Sequence, residues 1–176
     1  MLRKANHADL PHIERVMRES LRGLGAGAYD AQQIASAVVW IARPDTQLID
    51  DETYYVVEEQ GELVACGGWS KRGKLFTAGK GAADESRLLD PAREAARIRA
   101  FFVHPQWARR GLGRRILEAS EQEAYASGFR RFELMAMLSG GEQMYLALGY
   151  RPVAPAEITL GDGVVLACTL MIKEIE

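Results

Sequence analysis

Cysteine is scarce in this sequence, with Cys66 and Cys168 the only two in 176 residues and no C-x-x-C pair. A disulfide framework is thereby excluded, and a reducing cytoplasm is the expected setting. His7, His12 and His104 fall at spacings that make no ligand set with one another or with the cysteines, so metal catalysis has no visible basis. No apolar run approaches the roughly 20 residues that a bilayer span needs. The opening Met1-Leu2-Arg3-Lys4-Ala5-Asn6-His7 lacks the apolar core and cleavage site of a signal peptide. Neither a membrane nor a secretory route is expected. An excess of basic charge is also missing: 22 Lys and Arg face 24 Asp and Glu, a net charge of -2. Binding nucleic acid through bulk basicity is therefore not expected.

Familiar nucleotide and nucleophile motifs fail as well. Gly73 to Lys80 resembles a phosphate-binding loop only superficially, because Ala78 stands where the second glycine belongs and no Ser or Thr follows Lys80. There is no G-x-G-x-x-G, and Met137-Leu138-Ser139-Gly140-Gly141 lacks the first glycine of a nucleophile elbow.

What remains is a chain balanced for one globular domain over residues 1–176, 48% hydrophobic and 26% charged. No repeat, low-complexity tract or linker divides it. Leu2 to Ala5 reads as a strand, and Asp9 as the N-cap of a helix reaching about Leu24 with Leu10, Ile13, Met17, Leu21 and Leu24 on its buried stripe. A second helix follows Asp30, burying Ile34, Val38 and Ile41 and ending at Arg43-Pro44. Thr53–Glu59 and Leu63–Ser70 form a hairpin through Gln60-Gly61. Lys71 to Glu94 is glycine-rich and poorly periodic, a long excursion expected to be mobile and to serve an acceptor side of the site. Then come a strand at Ile98–Val103, a helix from about Leu112 to Ser127, a strand at Arg131–Ala136 and a short helix ending at Gly149-Tyr150. A closing hairpin of Ile158–Leu160 and Val164–Lys173 turns through Gly161-Asp162-Gly163. The expected class is α/β (α+β): a mixed, mostly antiparallel sheet of about seven strands with helices on both faces.

The most informative stretch is Ile98 to Leu117. It is a buried strand, a turn, and a glycine-punctuated helix start, Ala108-Arg109-Arg110-Gly111-Leu112-Gly113-Arg114-Arg115. Free backbone N–H groups at a helix N-terminus carry partial positive charge and attract anions. Gly111 and Gly113 carry no Cβ, which would let a phosphate approach the backbone, and four arginines surround the same point. A solvated, arginine-rich surface turn reads equally well from these residues alone.

At these residues the sequence resembles the GCN5-related N-acetyltransferase superfamily. That family's acyl-CoA signature is a strand followed by (Q/R)-x-x-G-x-(G/A) and a helix. Ala108 replaces its usual first residue here, and Arg109, Arg110, Gly111, Leu112, Gly113 and Arg114 fill the rest of the turn. Tyr145-Leu146-Ala147-Leu148-Gly149-Tyr150 resembles a second family signature, Y-x-x-x-G-(F/Y), and the element order matches along essentially the whole chain.

The resemblance implies acetyl-CoA as the acyl donor and a primary amine of a small molecule or peptide as acceptor, with direct transfer between them. It implies a bulged strand at Phe101, Phe102 and Val103 pairing with the pantetheine arm, one amide of Phe102 or Val103 polarising the thioester carbonyl. It places Tyr145 as the acid that protonates the departing thiolate. Relatives are commonly dimers, so a homodimer stays open. A non-catalytic acyl-CoA-binding or regulatory module, and an enzyme using another acyl-CoA, are the alternatives.

The general base stays unassigned. Glu94, Asp84, Glu85, Asp90 and His104 are candidates, each also explained as an ordinary loop or turn residue. Tyr54, Tyr55 and Trp69 are candidates for an apolar part of the cleft or for core. Arg97 and Arg99 would meet an acceptor carboxylate or form structural ion pairs, and Glu52 would attract a polyamine. A contact from Ser139 to CoA is a further expectation.

Overall fold

A sheet of seven strands organises the chain, and the computed structural model describes residues 1–74 and 86–176. The elements in order are β1 (Leu2–Lys4), α1 (Leu10–Leu24), α2 (Ala31–Trp40), α3 (Thr46–Asp50), β2 (Tyr54–Glu59), β3 (Glu62–Ser70) and β4 (Ala96–Val103). They continue with α4 (Leu112–Ala126), β5 (Arg131–Met137), α5 (Glu142–Ala147), β6 (Arg151–Thr159) and β7 (Val165–Glu174). Strand order is β1-β2-β3-β4-β5-β7-β6, antiparallel throughout except for the β4–β5 pair. Parallel neighbours need a crossover, which α4 supplies.

Amphipathic stripes set the two layers. Ile13, Val16, Met17 and Leu21 of α1 bury themselves with Val38 of α2 against Tyr54, Val56 and Leu166 on one face of the sheet. Ile116, Leu117 and Ala124 of α4 cover Val57, Ala65, Trp69 and Phe132 on the other. The Gln60-Gly61 turn holds because both residues have positive φ, 53° and 82°, as a two-residue hairpin turn of matching twist requires.

Local chemistry departs from the expected elements at four places. Asn6, not Asp9, does the capping before α1. Its side chain accepts from the Ala8 N–H at 2.9 Å, while the Asp9 carboxylate accepts from the Asn6 N–H at 2.8 Å and pairs with Arg3 at 2.7 Å. α2 stops at Trp40, short of Arg43-Pro44, and Asp45 then caps an additional helix, α3, by accepting from the Gln47 N–H at 3.0 Å. β6 starts at Arg151 rather than near Ile158 and runs exposed along the sheet edge, where Pro152 and Pro155 are tolerated. The excursion is anchored at its ends: Leu89 N–H donates to the Lys71 carbonyl at 2.8 Å, and Arg72 pairs with Asp51 at 2.7 Å. Its middle, residues 75–85, lies outside the described residues, and so does the expectation of mobility placed there.

β4 and β5 share only two register positions, Ala96 with Phe132 and Arg97 with Glu133, and then part. β5 is kept straight by seven positions of pairing with β7. β4 is bent by a bulge: Cys66 opposes Phe102 and Gly68 opposes Arg99, so Ala100 and Phe101 share the single residue Gly67. Ala100 takes φ 60°, an uncommon conformation for a residue with a Cβ. The extra residue also swaps faces. Ala96 and Ile98 look to the α4 side, but beyond the bulge it is Phe101 and Val103 that do, while Ala100 and Phe102 face α1.

Candidate functional site

The gap between the parting strands is a cleft that passes through the sheet. Ile98 and Phe101 of β4, Leu134 and Ala136 of β5, Gly141 and Tyr145 line its α4–α5 side. Three groups build this opening. The Tyr54 hydroxyl donates to the Ala100 carbonyl at 3.2 Å and holds the bulge from behind. Gly67 leaves room for the Phe101 ring, since a Cβ there would stand 2.8 Å from the ring. Tyr29 donates to the Ala167 carbonyl at 2.7 Å and accepts from the Leu138 N–H at 2.9 Å, tying the far rim to β7. None of the three was assigned such a part from sequence. The Gly67-Gly68 pair inside a strand was the available signal, because glycine there marks a bulge or a close approach.

Backbone direction decides which amide faces the gap. The His104 N–H donates to the Val64 carbonyl at 2.8 Å. An antiparallel ladder alternates, so Phe102 also turns its N–H toward β3 and Val103 turns its own toward the space that β5 has left. The bulge itself lies at Ala100–Phe101, at the leading edge of the expected Phe101–Val103 segment.

α4 starts where β4 ends. Gly111 is its N-cap at φ 76°, Arg109 also has positive φ at 61°, and the first helical bond runs from Arg115 N–H to the Gly111 carbonyl at 3.0 Å. The N–H groups of Leu112, Gly113 and Arg114 precede that bond and point out of the helix end. The Leu112 side chain is buried, so this residue offers only its backbone. The missing Cβ at Gly113 does not face the open side, which corrects the expectation for that glycine. A Cβ there would meet the Met144 Sδ at 3.1 Å and the Val103 Cγ2 at 3.8 Å, so Gly113 lets α5 and β4 close on α4. At Gly111 nothing lies within 4 Å, and there the positive φ is what favours glycine.

The arginines divide into two pairs. Arg114 bonds Glu118 at 2.8 Å and Arg115 reaches Glu59 at 3.3 Å. Arg110 stacks on Trp107 at 4.7 Å, and neither it nor Arg109 has a carboxylate partner among the described residues. Their charge is available to an anion at the helix start.

Tyr145 stands across the cleft from Phe101, ring to ring at 6.4 Å, with Tyr150 packed edge-on at 5.7 Å. Its hydroxyl has no hydrogen-bond partner among the described residues. Burial pushes the phenol well above its ordinary value, so it stays protonated and able to donate.

Several expected acceptor-side residues fall elsewhere. Arg97 pairs with Glu133, and Arg99 with Asp45, so both take the structural option. Tyr55 and Trp69 lie under α4, bound to Glu123 at 2.7 and 2.8 Å, outside the cleft. Tyr54 is core. Glu94 is held by Arg87 at 2.7 Å, which keeps its carboxyl down at about 2. His104 Nδ1 accepts from the Gln106 N–H at 3.3 Å and closes its own turn. Glu52 sits in the turn before β2 with its carbonyl on Lys4. Asp84 and Glu85 lie outside the described residues. Ser139 does line the cleft.

The site is thus a mixed sheet opened between two parallel strands, with a helix start of free N–H donors following β4. The chain belongs to the acetyltransferase (GNAT) family, whose model matches residues 13–150. No curated protein matches it significantly by sequence. Among solved structures it is similar to a GCN5-related N-acetyltransferase from Rhodopseudomonas palustris, with TM-score 0.73 and 19% identity over 99% of this chain and 95% of that one. It is similar also to the PaiA N-acetyltransferase of Thermoplasma acidophilum, solved with coenzyme A, at TM-score 0.69 and 15% identity over 99% and 98% of the two chains. YncA of Salmonella typhimurium, solved with acetyl-CoA, matches at TM-score 0.64 and 19% identity over 100% and 94%.

Proposed function

We propose that the protein is an acetyl-CoA-dependent N-acetyltransferase that transfers acetyl directly to a primary amine. What supports this reading is that the Val103 amide turns toward the space β5 leaves, Gly113 at the α4 start packs beside Val103 and Met144, and Tyr145 lines the cleft. These donors fit the cosubstrate. The N–H groups of residues 111–114, with Arg109, Arg110 and Arg114 around them, would hold the pyrophosphate, and the β4 backbone from Phe101 to Val103 would pair with the pantetheine arm.

Acetyl-CoA, when bound, supplies an activated acetyl group and a sulfur leaving group. The Val103 N–H, turned toward the gap, would donate to the thioester carbonyl, where negative charge would develop as the amine attacks. Tyr145 holds its proton for the departing sulfur. An amine of ordinary basicity, near pKa 10.4, must shed a proton to attack, and no residue is assigned that task. A protonatable phenol in the cleft favours an enzyme over a module that only binds acyl-CoA.

Incubation with acetyl-CoA and a broad amine panel tests this directly. Stoichiometric release of free CoA with appearance of an N-acetyl product is the expected result. Tight acetyl-CoA binding with no product from any amine would favour the binding module, and faster turnover with succinyl-CoA would change the donor.

A further inference from the structure

On the α1–α2 face the same cleft has a neutral, apolar wall. Met17 and Leu21 of α1, Ile41 after α2, Phe102 of β4, and Met135 and Met137 of β5 form it. Phe102 is there because the bulge at Ala100–Phe101 switches β4's alternation; in an unbroken strand that position would look toward α4. Met135 and Met137 are there by β5's own alternation, with Leu134 and Ala136 on the opposite face.

Polar groups on this wall are few and already matched in charge. Ser20 supplies a hydroxyl. Arg99 is ion-paired with Asp45, their side chains only 4% and 10% exposed, and that pair is net neutral. Asp45 is further committed to capping α3. No carboxylate lines the cleft among the described residues. A second ammonium brought in by a polyamine or aminoglycoside would be desolvated with no carboxylate among the described residues of the wall to meet it. A carboxylate on the acceptor would have to compete with Asp45 for a guanidinium already neutralised. Neither charge finds an unmatched partner among the described residues of the wall, whereas an apolar body replaces water against methionine and leucine side chains. The thioethers are flexible, so the wall tolerates variation in the shape of that body.

We infer that the acceptor is a primary monoamine on a compact apolar body, aryl or branched alkyl, with no second charge. The inference rests on the acetyl-transfer reading of this cleft and narrows its substrate class.

Methionine-methyl NMR tests it with a readout independent of turnover. Of the six methionines, Met17, Met135 and Met137 line the wall, while Met1 is exposed and Met171 buried elsewhere. Titrating 2-phenylethylamine into the CoA-loaded protein, and into the free protein, should shift the three wall methyls and leave Met1 and Met171 still. Spermidine and L-glutamate at equal concentration should leave all five unmoved. In turnover with acetyl-CoA, kcat/KM for 2-phenylethylamine should exceed that of either by about tenfold or more, the worth of one poorly matched charge. A Ser20→Asp variant, which adds a carboxylate to the wall, should shift preference toward spermidine.

Spermidine or glutamate moving the wall methyls, or being acetylated faster, overturns the inference. Transfer to 2-phenylethylamine with the wall methyls unmoved also overturns it, while leaving acetyl transfer intact. Methyl shifts with no transfer to any amine would instead sink the acetyl-transfer reading and leave this wall as the amine's binding surface.

Discussion

Tyr145→Phe is expected to lower kcat by about 10²–10⁴-fold, the usual worth of a general acid, with the loss toward the lower end because a thiolate leaves readily. Affinity for acetyl-CoA should hardly change. The ring is wedged between Phe101, Tyr150 and the backbone at Gly141, and phenylalanine keeps all of those contacts. The hydroxyl has no partner among the described residues, so its removal orphans nothing in the protein. Burial raises the phenol's pKa, hence the neutral, donating form persists as pH rises to 10 and beyond. The rate should therefore show no alkaline fall attributable to Tyr145 below that pH. Steady-state kinetics with a true acceptor, beside calorimetric Kd values for acetyl-CoA, check both halves. Parent-like turnover in the variant would reduce Tyr145 to a packing residue.

Gly113→Val should damage the fold and the site together. Its Cβ would sit 3.1 Å from the Met144 Sδ, and two further methyls enlarge the conflict. Overpacking of this kind typically costs about 1–3 kcal/mol. The strain would separate α4 from α5, and with it the helix start from Tyr145, which directly follows Met144. Acetyl-CoA affinity should fall along with stability. Met144→Ala in the same chain should recover much of both by vacating the space. Denaturant unfolding of the parent, both single variants and the double variant gives the coupling, expected at about 0.5–3 kcal/mol for residues in contact. Simple additivity would mean that these two residues do not share the space.

The residues that announced the site did so through chemistry that survives folding locally. Glycines and arginines ahead of an amphipathic helix specify a helix start with free donors whatever surrounds it, and Tyr145 keeps its spacing to Gly149-Tyr150 within one short segment. The layered sheet was legible for the same reason, since the periods of α1, α4 and β5 each name a buried face. What was not legible depends on partners far apart in the chain. Gly113 gives no hint that Met144 fills the space beside it. Arg99 gives none that Asp45, 54 residues earlier, neutralises it. The face that Phe102 presents turns on one extra residue in β4; the family resemblance implied a bulge there, and the Gly67-Gly68 pair on the neighbouring strand was the signal in the residues themselves. β6 was half hidden: only Ile158–Leu160 was expected as strand, whereas the strand starts at Arg151 and carries Pro152 and Pro155 along a sheet edge that accommodates them. Asp9 looked like a cap because its pull toward Arg3 lies in tertiary structure.

The central claim is that an acyl-CoA lies along β4 with its pyrophosphate on the α4 start. Amide NMR of the protein titrated with acetyl-CoA tests it most directly. Saturable shifts should concentrate at Val103, Gly111, Leu112, Gly113 and Arg114, with the Phe102 amide, which is turned toward β3, moving less. Saturable binding that leaves the Val103 and 111–114 amides unmoved, or no binding at all, would contradict the account.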